Sequence, residues 1–292
     1  MADRNPNPLE TGPKPPFDQP PQEPPGTEAE MSPKADHGEE TYRGLGRLTD
    51  RAAIVTGADS GIGRAVALAF AREGADVLIS YLSEDEDAAE TQRLVEDAGR
   101  KAVVVAGDVG DREHCEGLVA KAVDAFGRLD VVVCNAAYQM SHDSLPEHPP
   151  EEIERIFRTN ILHMFWLCRA AIPHLKPGAS IITTSSIQAY EPSPQLLPYS
   201  STKGAIVTFT KGLAQELTPK GIRVNTVAPG PVWTPLIPMS MPAEAAQEFG
   251  GSPLQRPAQP AELAPAYVFL ASDESRYVSA EILGVTGGKP LA

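Results

Sequence analysis

The sequence predicts one α/β domain built on a seven-stranded, parallel, doubly wound sheet, and three observations predict it. Seven short apolar runs rich in β-branched residues alternate with amphipathic helical patterns from Arg47 onwards. A glycine-rich turn joins the first run to the first helical pattern. After residue 50 no Ser/Gly/Pro-rich break longer than a loop divides the 292-residue chain, so one large domain is expected rather than two.

Residues 1–46 stand before this alternation and differ in composition. Ten of the 29 prolines fall in the first 33 positions and aliphatic side chains are almost absent. Such a segment cannot build a core of its own. It is expected to be extended or disordered, with polyproline II character where ordered. Two uses stay open: an arm that wraps a neighbouring subunit, or a solvated tail.

Strands are read at 52–56 (AAIVT), 76–80 (DVLIS), 102–106 (AVVVA), 130–134 (DVVVC), 180–185 (SIITTS), 222–228 (IRVNTVA) and 281–287 (EILGVTG). Helical patterns over 63–74, 86–99 and 112–127 each close on a glycine, the residue that ends a helix in the left-handed conformation at least cost. A longer pattern covers 151–172, and another carries Tyr199. Right-handed crossovers between parallel strands place ligands beyond the strands' carboxyl ends, so chemistry belongs at that edge. The stretch 233–251 sets Trp233, Met239 and Met241 between prolines and glycines. It reads as a mobile lid, or as a surface packed against a neighbouring subunit.

Charge narrows the partners. With 25 basic and 39 acidic residues the net charge is −14, which repels phosphate backbones and anionic headgroups. No Lys/Arg cluster offsets it, so neither nucleic acid nor membrane is expected as a partner. Cys115, Cys134 and Cys168 lack CxxC spacing and are read as reduced core thiols. There is no apolar targeting segment at the start and no membrane-spanning run, so a cytoplasmic location is expected. None of the six histidines forms a compact ligand pair, and no metal is assigned; His142 and His148 fall in a loop after the fourth strand and are read as surface residues, with a place lining the substrate cleft as the alternative.

The turn TGADSGIG carries Gly57, Gly61 and Gly63 between a buried strand and a helix. Glycine permits the sharp turn and the close approach of a pyrophosphate, which the helix N-terminus attracts through its free amides. This context marks a Rossmann-type dinucleotide site, with Ser60 and Ile62 in the same turn. At the end of the second strand Tyr81 stands where an Asp would bind the ribose 2′-hydroxyl. Ser60 and Leu82 offer no cation for a 2′-phosphate, while Glu84, Asp85, Glu86 and Asp87 repel one. Charge alone favours NAD, with NADP as the alternative.

YSSTK places Tyr199 four residues before Lys203, one turn apart on a single helical face. A free phenol ionises near pH 10, so a proton shuttle at neutral pH needs about 3–4 kcal/mol in favour of the phenolate. A neighbouring ammonium and a positively charged nicotinamide ring are expected to supply it. Ser186 directly follows the strand SIITTS at the same carboxyl edge, where a hydroxyl can bond developing negative charge; period-two alternation makes Ser185 its competitor.

TGADSGIG, GDV at 107–109, CNAA at 134–137, Asn160, Ser186, YSSTK and PGPVWT at 229–234 occur in one order along the chain. This series resembles the short-chain dehydrogenase/reductase family over residues 47–292, and the Pro-rich extension resembles a bacterial subgroup described as general-stress or glucose-dehydrogenase-like. The resemblance implies a dinucleotide-binding catalytic domain. It implies Tyr199 as acid/base, Lys203 as ribose-binding partner that lowers the phenol's pKa, Ser186 as the hydroxyl that polarises the substrate oxygen, and Asn160 as support for a proton-relay water. Asp108 and Val109 correspond to adenine contacts, and Asn135, Ala136 and Ala137 to the stretch beside the adenosine ribose. Pro229, Gly230, Val232 and Thr234 correspond to the nicotinamide end. Ala137 departs from the usual glycine and adds a methyl group beside the cofactor.

The expected activity is hydride transfer between a nicotinamide cofactor and a secondary alcohol, ketone or aldehyde, in a homotetramer as the family suggests. Two rivals were weighed: a cofactor-binding regulatory or scaffold protein without turnover, and a nucleotide-sugar epimerase or dehydratase. Retention of Tyr199, Lys203 and Ser186 speaks against the first, and the short chain beyond Lys203 leaves little room for the substrate domain of the second.

Overall fold

The computed structural model describes residues 7–291; the first six residues of the Pro-rich segment and Ala292 lie outside them. Seven parallel strands form one sheet in the order β3-β2-β1-β4-β5-β6-β7: β1 Ala52–Thr56, β2 Asp76–Tyr81, β3 Ala102–Ala106, β4 Leu129–Cys134, β5 Leu175–Thr184, β6 Arg223–Pro229 and β7 Ile282–Val285. The order reverses between β1 and β4, which opens a crevice at their carboxyl ends. Every residue of β1 and β6 is buried, as strands covered on both faces require, including the polar Arg223, Asn225 and Thr226 of β6. Strand β5 begins five residues before the expected position, because Leu175 pairs with Leu129 across an irregular register that precedes Ser180–Val131.

Helices α1 Gly61–Arg72, α2 Asp85–Asp97 and α3 Arg112–Phe126 follow the first three strands. Helix α1 packs with Leu263, Tyr267 and Val268 of a C-terminal helix, Pro260–Ala271, in one buried layer. On the other face α3 joins a second layer containing Met164, Leu167 and Ile206. The helix expected over 151–172 is divided: α4 Pro150–Phe157 and α5 His163–Ala171 flank a π-helical turn, Arg158–Leu162. Helix α6, Leu197–Leu217, starts with Pro198 in its first turn, where a missing N–H costs no bond.

The segment after β6 forms two short helices, α7 Leu236–Ser240 and α8 Ala243–Gln247, and α9 is the helix Pro260–Ala271. Residues 7–46 lie against their own domain with a single 3-10 turn, Glu28–Glu30. They share a small apolar cluster with the post-β6 segment, in which Phe17 and Met31 meet Trp233, Ile237 and Ala246. The Phe17 and Trp233 ring centroids are 4.3 Å apart, and Trp233 Nε1 donates to Pro33 O at 2.8 Å. Backbone bonds extend this docking: Phe17 N donates to Gln247 O at 2.9 Å and Gln22 N to Pro238 O at 3.1 Å. The stretch expected to be a lid is therefore pinned by the N-terminal segment of the same chain.

Candidate active site

The Gly-rich turn takes the shape its glycines permit. Gly57 and Gly61 have φ of 60° and 48°, the left-handed region that favours glycine. A Cβ on Gly63 would lie 1.8 Å from Gly57 O, so helix and turn could not pack with any other residue there. A Cβ on Gly61 would lie 2.9 Å from Thr234 Cγ2, which places the nicotinamide-end loop directly across from the turn. The N–H groups of Ile62 and Gly63 have no protein partner among the described residues, and such orphan donors at the start of α1 suit an anionic pyrophosphate.

Behind the turn, Thr56 Oγ1 accepts the N–H groups of Asn135 (3.0 Å) and Ala136 (3.1 Å). The Asn135 amide returns bonds to Thr56 O and Gly57 O, both at 3.1 Å. These bonds lock the loop after β4 to the turn after β1. A cleft runs along this edge and brings together Gly57, Ser60, Gly61, Ile62, Tyr81, Asp108, Val109, Asn135, Ala136, Ala137, Ser186, Tyr199, Lys203, Pro229, Gly230, Val232 and Thr234. Two residues singled out from the sequence do not line it. Gly63 sits behind the turn as a packing residue, and Asn160 is held in the π-helical turn.

Asn160 is almost fully buried. Its Oδ1 accepts from Tyr138 N at 2.8 Å, and its Nδ2 donates to Tyr138 O at 2.9 Å and Thr202 Oγ1 at 3.1 Å. It thus ties the loop after β4 to α6. His163 continues the tie: its Nδ1 pairs with Thr159 O at 2.6 Å and its Nε2 lies 3.3 Å from Thr56 Oγ1. Burial lowers His163 to about 4, so the ring bridges β1 and the π-helical turn without a charge.

Tyr199 and Lys203 share one face of α6, with Lys203 Nζ 5.1 Å from the centroid of the phenol ring. Nζ donates to Thr184 O at 2.9 Å. The two serines of the strand end separate as alternation demands. Ser185 Oγ donates to Lys203 O at 2.8 Å and anchors the helix, whereas Ser186 Oγ accepts from Gln188 N at 3.1 Å and turns its O–H toward the Tyr199 oxygen.

The expected depression of the phenol's pKa by Lys203 is not what the protein alone provides. Burial pushes Tyr199 up to about 12, eased only by a hydrogen bond with Ser186, and burial brings Lys203 down to about 7. The reason is that both groups are withdrawn from water, and the cost of charging each exceeds what a partly neutral ammonium returns. The remaining stabilisation of a phenolate must enter with the cofactor's own positive charge.

Sequence reasoning did not anticipate several residues at this edge. Asp59 lines the cleft beside Tyr81, Leu82 and the expected Glu84, and is raised to about 7, first by burial and then by the charge of Glu84. Arg155 lines the opposite end, its guanidinium 4.4 Å above the Tyr138 ring. Pro25 reaches the cleft from the N-terminal segment, from which no local signal pointed to it. The fold also gathers His142, His148 and Glu152, whose ligand atoms lie within 4.8 Å of one another. There the Glu152 carboxylate accepts from His142 Nε2 at 2.9 Å and His148 Nδ1 at 3.3 Å, using the atoms a cation would need.

A switch-point crevice with a Gly-rich turn at one end and a Ser–Tyr–Lys group at the other defines a nucleotide-dependent oxidoreductase. A family model described as enoyl-(acyl carrier protein) reductase matches residues 57–289. The chain is 52% identical over 266 residues to the oxidoreductase YhdF of Bacillus subtilis, covering 91% of this chain and 92% of that one. It is 46% identical over 271 residues to the glucose and ribitol dehydrogenase of Daucus carota, covering 90% and 93%. A short-chain dehydrogenase from Burkholderia cenocepacia, solved in complex with NADP, superposes with a TM-score of 0.78 at 31% identity, covering 83% of this chain and 98% of that one. The chain belongs to the short-chain dehydrogenase/reductase family. It is a nicotinamide-dependent oxidoreductase that transfers hydride at a CH–OH carbon.

Proposed function

We propose that the chain interconverts a small secondary alcohol and its carbonyl compound with NAD, using Tyr199 as acid/base. The observation that carries this reading is the convergence of Tyr199, Ser186 and Lys203 on the cleft opposite the Gly-rich turn. A nicotinamide cofactor held between the Gly-rich turn and Lys203 would supply or accept the hydride. In the direction of reduction, Tyr199 O–H donates its proton to the carbonyl oxygen while Ser186 O–H bonds the same oxygen as charge develops. Lys203, fixed by Thr184 O, holds the ribose and balances the phenolate. Asn160 supports the proton route by positioning Tyr138 and Thr202 around it.

The preference for NAD rests on Glu84, whose carboxylate beside Tyr81 opposes a 2′-phosphate, and on the absence of a cation among the cleft residues there. The relative that acts on glucose and ribitol supports a small polyhydroxylated substrate. Apolar Phe157, Leu162, Phe165 and Leu197, exposed on or beside α4 to α6, support a homotetramer. Buried free thiols and a net charge of −14 fit a cytoplasmic enzyme without nucleic-acid or membrane partners, and no helix among the described residues is long and apolar enough to cross a membrane. Tyr199→Phe is expected to cut turnover by about 10²–10⁴-fold while NADH binding, read by fluorescence, stays unchanged. Turnover retained in that variant removes Tyr199 from the role.

A further inference from the structure

Helix α1 begins at Gly61 without a local cap, because Ser60 makes no capping bond with its side chain. The acceptor comes instead from 33 positions upstream: Glu28 Oε1 takes the Gly61 N–H at 2.8 Å. The same oxygen accepts from His37 Nε2 at 2.8 Å, and His37 Nδ1 bonds Glu39 Oε1 at 3.0 Å. Each ring nitrogen thus faces a carboxylate, which accepts only, so the arrangement is that of an imidazolium. Glu28 is 6% exposed and His37 3% exposed. Glu28 N donates to Asp87 Oδ2 at 2.9 Å, and Asp87 is itself paired with Arg64 of α1 at 3.1 Å. Three residues before Glu28, Pro25 lines the cleft.

We propose that Glu28 and His37 of the N-terminal arm form a cap on the dinucleotide-binding turn, in which the proton on His37 sets the charge presented to the cofactor's pyrophosphate. The inference rests on the reading that the dinucleotide lies against this turn. With His37 protonated, the Glu28 carboxylate is matched and Ile62 and Gly63 keep their N–H groups for the cofactor. When His37 loses its proton, an unmatched carboxylate stands at the helix end where a doubly anionic group must dock.

The other charged groups around the Glu28–His37 pair are Glu39, Arg64 and Asp87, with the Lys34 ammonium on Glu28 O at 3.0 Å and Asp59 in the turn itself. Arg64 and Asp87 neutralise each other, and Glu39 favours the imidazolium. Burial opposes the charge on His37, but hydrogen bonds with Glu28 and Glu39 outweigh it and raise the ring to about 8. Because this lies above the ordinary 6.5, the pair's contribution to arm docking is complete below pH 6.5 and is lost as pH rises through about 8.

The test is a fluorescence titration of the full chain with NADH, and in parallel NADPH, between pH 6.5 and 9.5. Wild type should lose about five-fold in affinity across the His37 transition. Asp59 and Lys203 also line the cleft and titrate near 7, so the loss they cause is common to all variants. The further loss centred near pH 8 should be missing from His37→Gln, which binds weakly, and from Glu28→Gln, which keeps an acceptor for Gly61 N–H without its charge and binds well. Melting curves establish that both variants fold, and hydrogen exchange at the Gly61 amide reports the cap: exchange should quicken in Glu28→Ala and stay slow in Glu28→Gln. If the wild type binds no dinucleotide, the cleft itself is misread and the cap falls with it. If it binds and His37→Gln keeps the loss centred near pH 8, the cap alone is overturned.

Discussion

Tyr199 and Lys203 illustrate how strongly burial governs an ionisable residue. A lysine whose pKa falls from 10.5 to about 7 binds fewer protons folded than unfolded between those values, so its contribution to stability improves as pH rises from 7 to 10.5 and stays at its constant, least favourable level below 7. Replacing it by an apolar side chain of similar length relieves that cost. Lys203→Met should therefore raise the melting temperature at pH 7.5 by roughly 2–5 °C while weakening NADH binding; an unchanged or lower melting temperature would contradict the burial cost. A second residue-scale test concerns the adenosine end. Leu82→Arg combined with Glu84→Ser supplies a cation and removes a repelling charge, and should improve the NADP-to-NAD affinity ratio by at least about tenfold. No shift in the ratio of the two dissociation constants would mean that the 2′-phosphate position lies elsewhere. The spacing of Tyr199, Lys203 and Ser186 was legible because helix and strand periods are local. Their pKa values were not, since desolvation depends on which distant segments cover them.

At the scale of elements, the π-helical turn between α4 and α5 is the departure from sequence expectation. Amphipathic periodicity over 151–172 predicts an unbroken helix, and local propensity gives no reason for a break. The break is explained by Asn160, whose amide satisfies both backbone groups of Tyr138 and the hydroxyl of Thr202. Asn160→Ala leaves those buried groups unpaired and should cost about 2–3 kcal/mol, measured by denaturant unfolding. It should lower kcat more than it raises the KM for NADH. Equal effects on a remote surface Asn variant would reduce Asn160 to a generic hydrogen bond. The Gly-rich turn was legible by contrast, because the left-handed φ of Gly57 and Gly61 and the close contact of Gly63 with Gly57 O arise within the turn itself.

For the whole molecule, the sheet order places the cleft, and the outer helices carry the surface proposed for association. Phe165, 52% exposed on α5, stacks edge-on against Phe209 of α6 at 4.7 Å, and this outward aromatic pair lies on the helices expected to meet another subunit. Phe165→Glu should reduce the solution mass by light scattering to that of a smaller assembly; an unchanged mass moves the interface to another face. The sequence by itself determined the seven strands, the glycine-dependent turn and the Tyr–Lys pair, because alternation, backbone freedom and helical spacing act over a few residues. Only the tertiary structure decided where the proline-rich segment goes, that Glu28 caps a helix 33 residues further on, and that burial, more than the neighbouring ammonium, sets the phenol's acidity. These depend on solvent exclusion and on contacts between segments far apart in the chain, which no local pattern encodes.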